Sequence, residues 1–268
     1  MHVDNCISAT NKYIEVYPNS IFTKISEVNL GAAVSVLSAC DWVFDLEEFV
    51  VIIEDDCLPT EDFFTWIRDS QDFLVNDKNT LLVSGNQFAP PEITRNFPTL
   101  SKYPLIWGWA TSRTKWKIIV SLMRDIKKIK KMARVNSYIE YCFWRSGARR
   151  SLEGYIDAWD IPLAFIFYQI GAKTLLPTYN LVSNTGGDEH ATHTKESTKW
   201  LNFPTHKYIK SESKPIQSIE QDNWYRKNVF EIKFRHVFST KISWLLDRLG
   251  VRKKSRSNLM DRIFFKFY

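Results

Sequence analysis

The stretch VVIIEDDCLP, Val50 to Pro59, combines an apolar run with an acidic triplet. Four β-branched residues come directly before three consecutive carboxylates. A short apolar run without polar alternation is typical of a strand that is buried on both faces. The preceding segment NLGAAVSVLSACDWVF has the spacing of a helix of about four turns. The following segment TEDFFTWIRDSQDFLV predicts a second helix, with Thr60 as a capping residue and acidic residues in its first turn.

The same alternation of strand and helix continues along the chain. TLLVSG predicts another buried strand, which ends at Ser84-Gly85-Asn86, and GYIDAWDIPLAFIFYQIGAKTLLP predicts a loop, a helix and a strand. We therefore predict an α/β fold whose mostly parallel sheet is covered by helices on both faces. Ligands bind beyond the carboxyl ends of the strands in such sheets, and the Glu54–Asp56 triplet stands at such an end. The alternative for the triplet is a solvated turn before a helix whose dipole favours acids.

Composition restricts the class of protein. The 268 residues are 44% hydrophobic and 15% aromatic, which suits a globular core and excludes disorder as the default. The four cysteines lie far apart without a CxxC pair, so we expect neither a disulfide framework nor a zinc site, and a reducing cytoplasm. No apolar run approaches the roughly 20 residues that cross a bilayer, and MHVDNCISATNKY lacks the apolar stretch of a signal peptide.

The charge is unevenly distributed between two parts of the chain. The net charge is +6, but residues 207–268 hold 15 Lys and Arg against 6 Asp and Glu, a balance of +9 that leaves −3 for residues 1–206. We predict a domain over 1–206 and a basic, aromatic, helical extension over 207–268. The extension is either a helical cap on the domain or a contact to an anionic membrane at its inner face. Motifs for nucleic-acid binding are absent, so no nucleic acid is expected as a partner.

Three groups of residues have the chemistry of a site. Carboxylates together with substrate phosphates are the usual ligands of Mg²⁺, so the triplet is a candidate cation site. Asp160 precedes Ile161-Pro162, a position that suits a helix N-cap, and a carboxylate there can also act as a general base; Asp157 is close by in sequence. His190 and His193 are either exposed loop histidines or contacts to a metal or a phosphate.

Five segments in this order resemble the glycosyltransferases of the GT-A fold: NLGAAVSVLSACDWVF, VVIIEDDCLPTEDFF, WGWATSRTKW, AWDIPLAF and NLVSNTGGDEHATHT. They are most similar to the bacterial family-2-like nucleotide-diphospho-sugar transferases, and more distantly to the N-acetylglucosaminyltransferase I group with its Glu-Asp-Asp motif. The resemblance implies a metal-dependent, inverting transfer of a sugar from a UDP- or GDP-linked donor to a glycan or lipid-linked acceptor, in bacterial surface polysaccharide or glycan synthesis. It also implies Mn²⁺ or Mg²⁺ as the cofactor.

The resemblance implies a role for each matching residue. Asp56 corresponds to the metal ligand, with His193 and less closely His190 near the metal and the diphosphate. Asp160 corresponds to the general base, and Asp157 is the second choice for that role. The implied substrate-binding residues are Glu54, Asp55, Asn29, Gly31, Ser84, Gly85, Trp107 and Trp109, of which the two tryptophans would line a sugar.

Members of this family begin with a strand, a helix and a second strand that bind the nucleobase. Only residues 1–28 precede Asn29, so we expect that part of this unit is missing and that ISATNKYIEVYPNS supplies one short strand. Two alternatives remain open. One is a truncated, non-catalytic remnant or binding partner of the same fold. The other is a sugar nucleotidyltransferase, which would show a glycine-rich basic loop near its start, and the sequence has none.

Overall fold

The computed structural model describes residues 2–17, 21–126, 137–186, 200–211, 213–233, 235–252, 255–256 and 258–259. The helices in these ranges are α1 (His2–Val16), α2 (Ala32–Leu46), α3 (Glu61–Asn76), α4 (Pro91–Thr94), α5 (Arg113–Arg124), α6 (Tyr138–Leu152), α7 (Asp160–Ile170), α8 (Ile219–Asn228) and α9 (Arg235–Arg248). The strands are β1 (Phe49–Ile52), β2 (Cys57–Pro59), β3 (Thr80–Ser84), β4 (Thr99–Ser101), β5 (Trp109–Ser112), β6 (Lys173–Leu176), β7 (Val182–Asn184) and β8 (Ile216–Gln217).

Six strands form one sheet in the order β1-β5-β3-β6-β4-β8, and β2 pairs separately with β7. The pairs β3–β6 and β4–β8 are parallel, whereas β1–β5, β3–β5 and β4–β6 are antiparallel. The α/β class is therefore confirmed, but the sheet is mixed and the expected mostly parallel sheet is not confirmed. The difference arises because β4, β5 and β8 run against the direction of β1, β3 and β6.

Most of the elements that the hydrophobic pattern predicts are present. Helix α2 follows Gly31, β1 precedes the acidic triplet, and α3 begins after Thr60, although the Thr60 hydroxyl donates to the Leu181 carbonyl and does not cap the helix. Helix α7 and strand β6 follow each other as expected. The exception is ISATNKYIEVYPNS, because its first ten residues, 7–16, belong to helix α1 and not to a strand. β1 is thus the first strand among the described residues.

Helices cover both faces of the sheet. On one face α3 packs through Phe63 and Ile67 against Val83 of β3. On the other face α2, α5 and α7 pack against Leu82 and Trp109. Because neighbouring residues of a strand point to opposite faces, Leu82 and Val83 can serve the two layers in turn. The central strand β3 lies between these two layers, and its five residues are all buried.

The region after residue 206 is partly built into this core. Strand β8 pairs with β4, and Tyr225 of α8 is fully buried, where its hydroxyl accepts from the Phe88 amide at 3.0 Å and donates to Gln87 Oε1 at 2.9 Å. Helix α9 packs on α6. The part of the predicted extension that contains β8 and α8 therefore belongs to the fold itself. Within the described ranges, none of the helices has both the length and the apolar character needed to span a bilayer.

Candidate functional site

The acidic triplet forms a tight turn between β1 and β2. The Cys57 amide donates to the Glu54 carbonyl at 3.0 Å, which reverses the chain immediately after the strand. Asp55 is exposed, whereas Glu54 and Asp56 are half-buried. Within the described residues β1 is an edge strand of the sheet, so the turn lies at the rim of the fold. A partly buried acidic turn at a strand end is a position where a cation or a polar ligand can be held.

Glu54 occupies an unfavourable place for a charged group. Burial raises the pKa of Glu54 to about 7, and the negative charges of Asp56, Asp160 and Asp55 add to the rise in that order. Its Oε1 atom is buried without a hydrogen-bond partner in the described structure. Since Asp160 belongs to the first turn of α7, the fold brings two acidic segments from distant parts of the sequence into one electrostatic cluster.

Two tryptophans in contact link Asp160 to the strand that ends at the triplet. Trp109 stands opposite Ile52, the last residue of β1, in the antiparallel β1–β5 pair. Its ring lies 5.5 Å from the ring of Trp159, the residue directly before Asp160. Trp109 has no exposed surface, so it belongs to the core and does not line an open sugar site. It packs instead between the end of β1, which precedes the Glu54–Asp56 turn, and Trp159, which precedes Asp160.

Asp157 is bound to the start of α2. Its two carboxylate oxygens accept from the Ala32 amide at 2.7 Å and the Ala33 amide at 2.9 Å, so they satisfy amides that have no partner within the helix. Gly31 has a φ of +76°, and a Cβ atom there would lie 2.5 Å from Asp157 Oδ2. Asn29 Oδ1 accepts from the Gly31 amide at 2.9 Å. These contacts give all three residues a structural role in capping α2, and they engage both oxygens of the second-choice base.

Asp56 is enclosed by the end of β7. The Asp56 carbonyl accepts from the Thr185 amide at 2.9 Å and from its hydroxyl at 3.2 Å, and Cys57 Sγ lies 3.4 Å from Asp56 Oδ1 as a donor. A Cβ atom on Gly186 would lie 2.1 Å from Asp56 Oδ2, so any larger residue there would displace this carboxylate. The Gly186 amide donates to Asn184 Oδ1 at 2.8 Å, which fixes the glycine in place.

The end of β3 is closed by packing. Ser84 and Gly85 are buried, the Ser84 carbonyl accepts from Trp66 Nε1 at 2.9 Å, and a Cβ atom on Gly85 would lie 2.5 Å from Val182. These two residues are therefore core residues and not part of an open site. Trp107 is half-buried, packs edge-to-face on Phe88 with ring centroids 5.3 Å apart, and keeps part of its surface accessible.

The donor set fits a cation that substrate phosphates help to hold. Within the described residues, no group of three or more His, Cys, Asp or Glu side chains is arranged to hold a metal ion. A protein cage for a cation is therefore not formed by this part of the chain. The Asp56 carboxylate and the exposed Asp55 have the hard oxygen atoms that Mg²⁺ or Mn²⁺ prefers where phosphates complete the coordination. His190 and His193 lie outside the described residues.

No protein-family model and no curated protein sequence matches this chain. The site is thus defined by its own geometry.

Two residues of the candidate site are not predicted from the sequence. Cys40 of α2 is buried near the triplet, and its burial, together with Asp41 and Glu54, raises the pKa of its thiol to about 12. Gly186 is the other, and the pair of glycines in SNTGG was the only signal for it.

Proposed function

We propose that this protein is a metal-dependent, inverting glycosyltransferase that moves a sugar from a nucleoside diphosphate donor to an acceptor hydroxyl. The observation that supports this most is the convergence of Glu54 and Asp56 with Asp160 at one rim of the sheet. Donor phosphates need a cation ligand, and an acceptor hydroxyl needs a base. The cluster contains candidates for both roles on rigid elements. The GT-A type of the fold is part of this proposal.

Asp160 would act as the general base. It takes the proton of the acceptor hydroxyl while the acceptor oxygen forms a bond to the anomeric carbon of the donor sugar. The bond between that carbon and the phosphate oxygen breaks on the opposite side, so the configuration inverts and a nucleoside diphosphate leaves. Trp159 and Trp109 hold the carboxylate at a fixed distance from the triplet because both rings are buried.

Asp56 would hold the cation together with the donor phosphates. A bound Mg²⁺ or Mn²⁺ supplies positive charge that stabilises the leaving diphosphate. Glu54 and Asp55 would contact the ribose or the sugar through their remaining oxygens. Glu54 is the stronger candidate for a buried ligand hydroxyl, since its Oε1 atom is buried without a partner in the described structure.

A non-catalytic binding protein of this fold is the competing candidate. The observation in its favour is that Ser84, Gly85 and Trp109, three of the implied substrate-binding residues, are buried in the core. Such a protein would keep the acidic turn without a complete donor pocket. It would bind a cation or a nucleotide weakly and transfer nothing.

Calorimetry separates the two candidates. UDP- and GDP-linked sugars are titrated with and without Mn²⁺ into the wild type, Asp56→Asn and Asp160→Asn, with Asp45→Asn as a control because Asp45 is an exposed carboxylate of α2. The transferase predicts Mn²⁺-dependent binding that Asp56→Asn weakens by on the order of 10- to 100-fold and that the other two variants retain.

Turnover of the same donors is then followed by release of the nucleoside diphosphate. Loss of the base should lower the rate by on the order of 10²- to 10⁴-fold in Asp160→Asn at unchanged donor affinity. A folded wild type that binds none of these donors would refute the proposal. The non-catalytic candidate would be favoured if the wild type binds the donors as strongly as Asp160→Asn does and neither protein transfers or hydrolyses the sugar.

A further inference from the structure

Helix α9 presents a distinct surface on the far side of its contact with α6. Val237 and Ser239 are buried and belong to its inner face. The helix ends in a well-formed cap: Gly250 has a φ of +73°, and the Val251 amide donates to the Leu246 carbonyl at 3.0 Å. This is the hydrogen bond of a Schellman motif, so the end of α9 is sharply defined.

Large apolar side chains form a stripe along the outer face of α9. Phe238, Leu245 and Leu249 are 49%, 51% and 69% exposed, and Ile242 is half-buried between them. Their spacing of four, three and four residues places all four on one line of the helix. We call these four residues the α9 stripe. A row of exposed large side chains on one helix face is typical of a surface that contacts something apolar.

Positive charge borders the α9 stripe. Lys241 and Arg248 are exposed and lie on the same side of it by their helical positions, and exposed Arg252 follows the cap. The sequence from Arg235 to Arg252 contains four Lys and Arg against one Asp. The border of the stripe is therefore mainly positive. A surface that matches it is apolar in its interior and negatively charged at its boundary.

We propose that α9 is a membrane-binding helix that lies in the interface of an anionic lipid bilayer. The α9 stripe enters the boundary between headgroups and acyl chains, and Lys241, Arg248 and Arg252 stay among the phosphates. A protein partner fits the pattern less well, because protein interfaces are depleted of Lys relative to the rest of the surface. This contact is separate from the proposed transfer chemistry, since it involves none of the residues of the acidic cluster.

Vesicle co-sedimentation of the full chain tests the inference. Vesicles of phosphatidylcholine alone are compared with vesicles that also contain phosphatidylglycerol, at low and high salt. Wild type should bind only the anionic vesicles, and high salt should weaken the binding. The double variant Leu245→Ser/Leu249→Ser should lose on the order of tenfold or more in partitioning. Lys241→Gln should lose about fivefold.

Matched controls come from other surface helices of the same chain. Leu46→Ser replaces a leucine of α2 that is 55% exposed, and Lys117→Gln replaces an exposed lysine of α5. Both should bind vesicles as the wild type does, and circular dichroism should show an unchanged helix content for all variants. The inference fails if the folded wild type ignores anionic vesicles, or if the controls and the stripe variants lose binding equally. It also fails if light scattering shows an oligomer that depends on the α9 stripe while the protein binds no vesicles.

Discussion

Replacement of Glu54 by Gln should stabilise the protein at alkaline pH and leave its stability unchanged at acidic pH. The substitution keeps the shape of the side chain and removes a negative charge that faces Asp56 and Asp160. Burial and these neighbours raise the pKa of Glu54 from 4.5 to about 7 in the folded state. The wild type therefore keeps the full contribution of a neutral Glu54 below about pH 4.5 and loses it as the pH rises through about 7.

The size of the effect follows from the same shift. A rise of the pKa from 4.5 to about 7 corresponds to at most about 3.5 kcal/mol, at about 1.4 kcal/mol per pKa unit. Glu54 is only partly buried, so water screens part of the repulsion and about 1–2 kcal/mol is the realistic range. For a chain of this length that corresponds to a rise in Tm of about 2–6 °C at pH 8.

The assay is urea unfolding of wild type and Glu54→Gln at several pH values between 4.5 and 8, with a chelator present so that no cation offsets the repulsion. The difference in the free energy of unfolding between the two proteins should grow with pH. Glu92→Gln removes an exposed carboxylate of α4 and serves as the control, with a difference that stays constant. If the difference in the free energy of unfolding between wild type and Glu54→Gln also stays constant with pH, the prediction is wrong. Glu54 would then not titrate within the cluster.

Three further substitutions test individual contacts. Gly186→Ala should push the Asp56 carboxylate aside and weaken Mn²⁺-dependent nucleotide binding on the order of tenfold, measured by calorimetry. Asp157→Ala should remove the cap of α2 and lower the free energy of unfolding by about 1–2 kcal/mol in urea. Glu140→Ala should remove a buried acceptor of both Lys102 Nζ and the Tyr103 hydroxyl, each at 2.8 Å, and lower the free energy of unfolding by about 3 kcal/mol or more.

Each of these three predictions has an outcome that would contradict it. Unchanged nucleotide affinity in Gly186→Ala would mean that Asp56 does not hold the cation. An Asp157→Ala protein that is as stable as the wild type but inactive would assign Asp157 to the chemistry and not to the cap. A stable Glu140→Ala protein would show that Lys102 finds solvent once its partner is removed.

Hydrophobic pattern alone predicted the elements that carry the site. The run Val50–Ile53 and the periodic segments after Gly31 and Thr60 predict β1, α2 and α3, and with them the position of the triplet after β1. The expected burial of β1 on both faces is wrong, because its four residues are half-buried at the edge of the described sheet. Whether a strand is central or lies at an edge depends on its partners and not on its own sequence.

Long-range pairing was not visible in the same way. The sequence around Trp109 does not show that β5 runs antiparallel between β1 and β3, because the direction of a short strand depends on its partners. That placement makes Trp109 a core residue and brings Asp160 to the triplet. The two hydrogen bonds that the Ala32 and Ala33 amides donate to Asp157 also join segments far apart in sequence, so no local sequence pattern predicts them.

The two hydrogen bonds between Asp157 and α2 make two backbone amides of that helix sensitive to the position of Asp157. The Ala32 and Ala33 amides are protected by a carboxylate that precedes Asp160 by three residues, not by their own helix. Their rates of hydrogen–deuterium exchange should therefore follow the position of the loop that carries Asp157 and leads into Asp160. If a bound acceptor draws that loop away from α2, these two amides should exchange faster while the rest of α2 stays protected. Motion near the proposed base can thus be measured from a different helix.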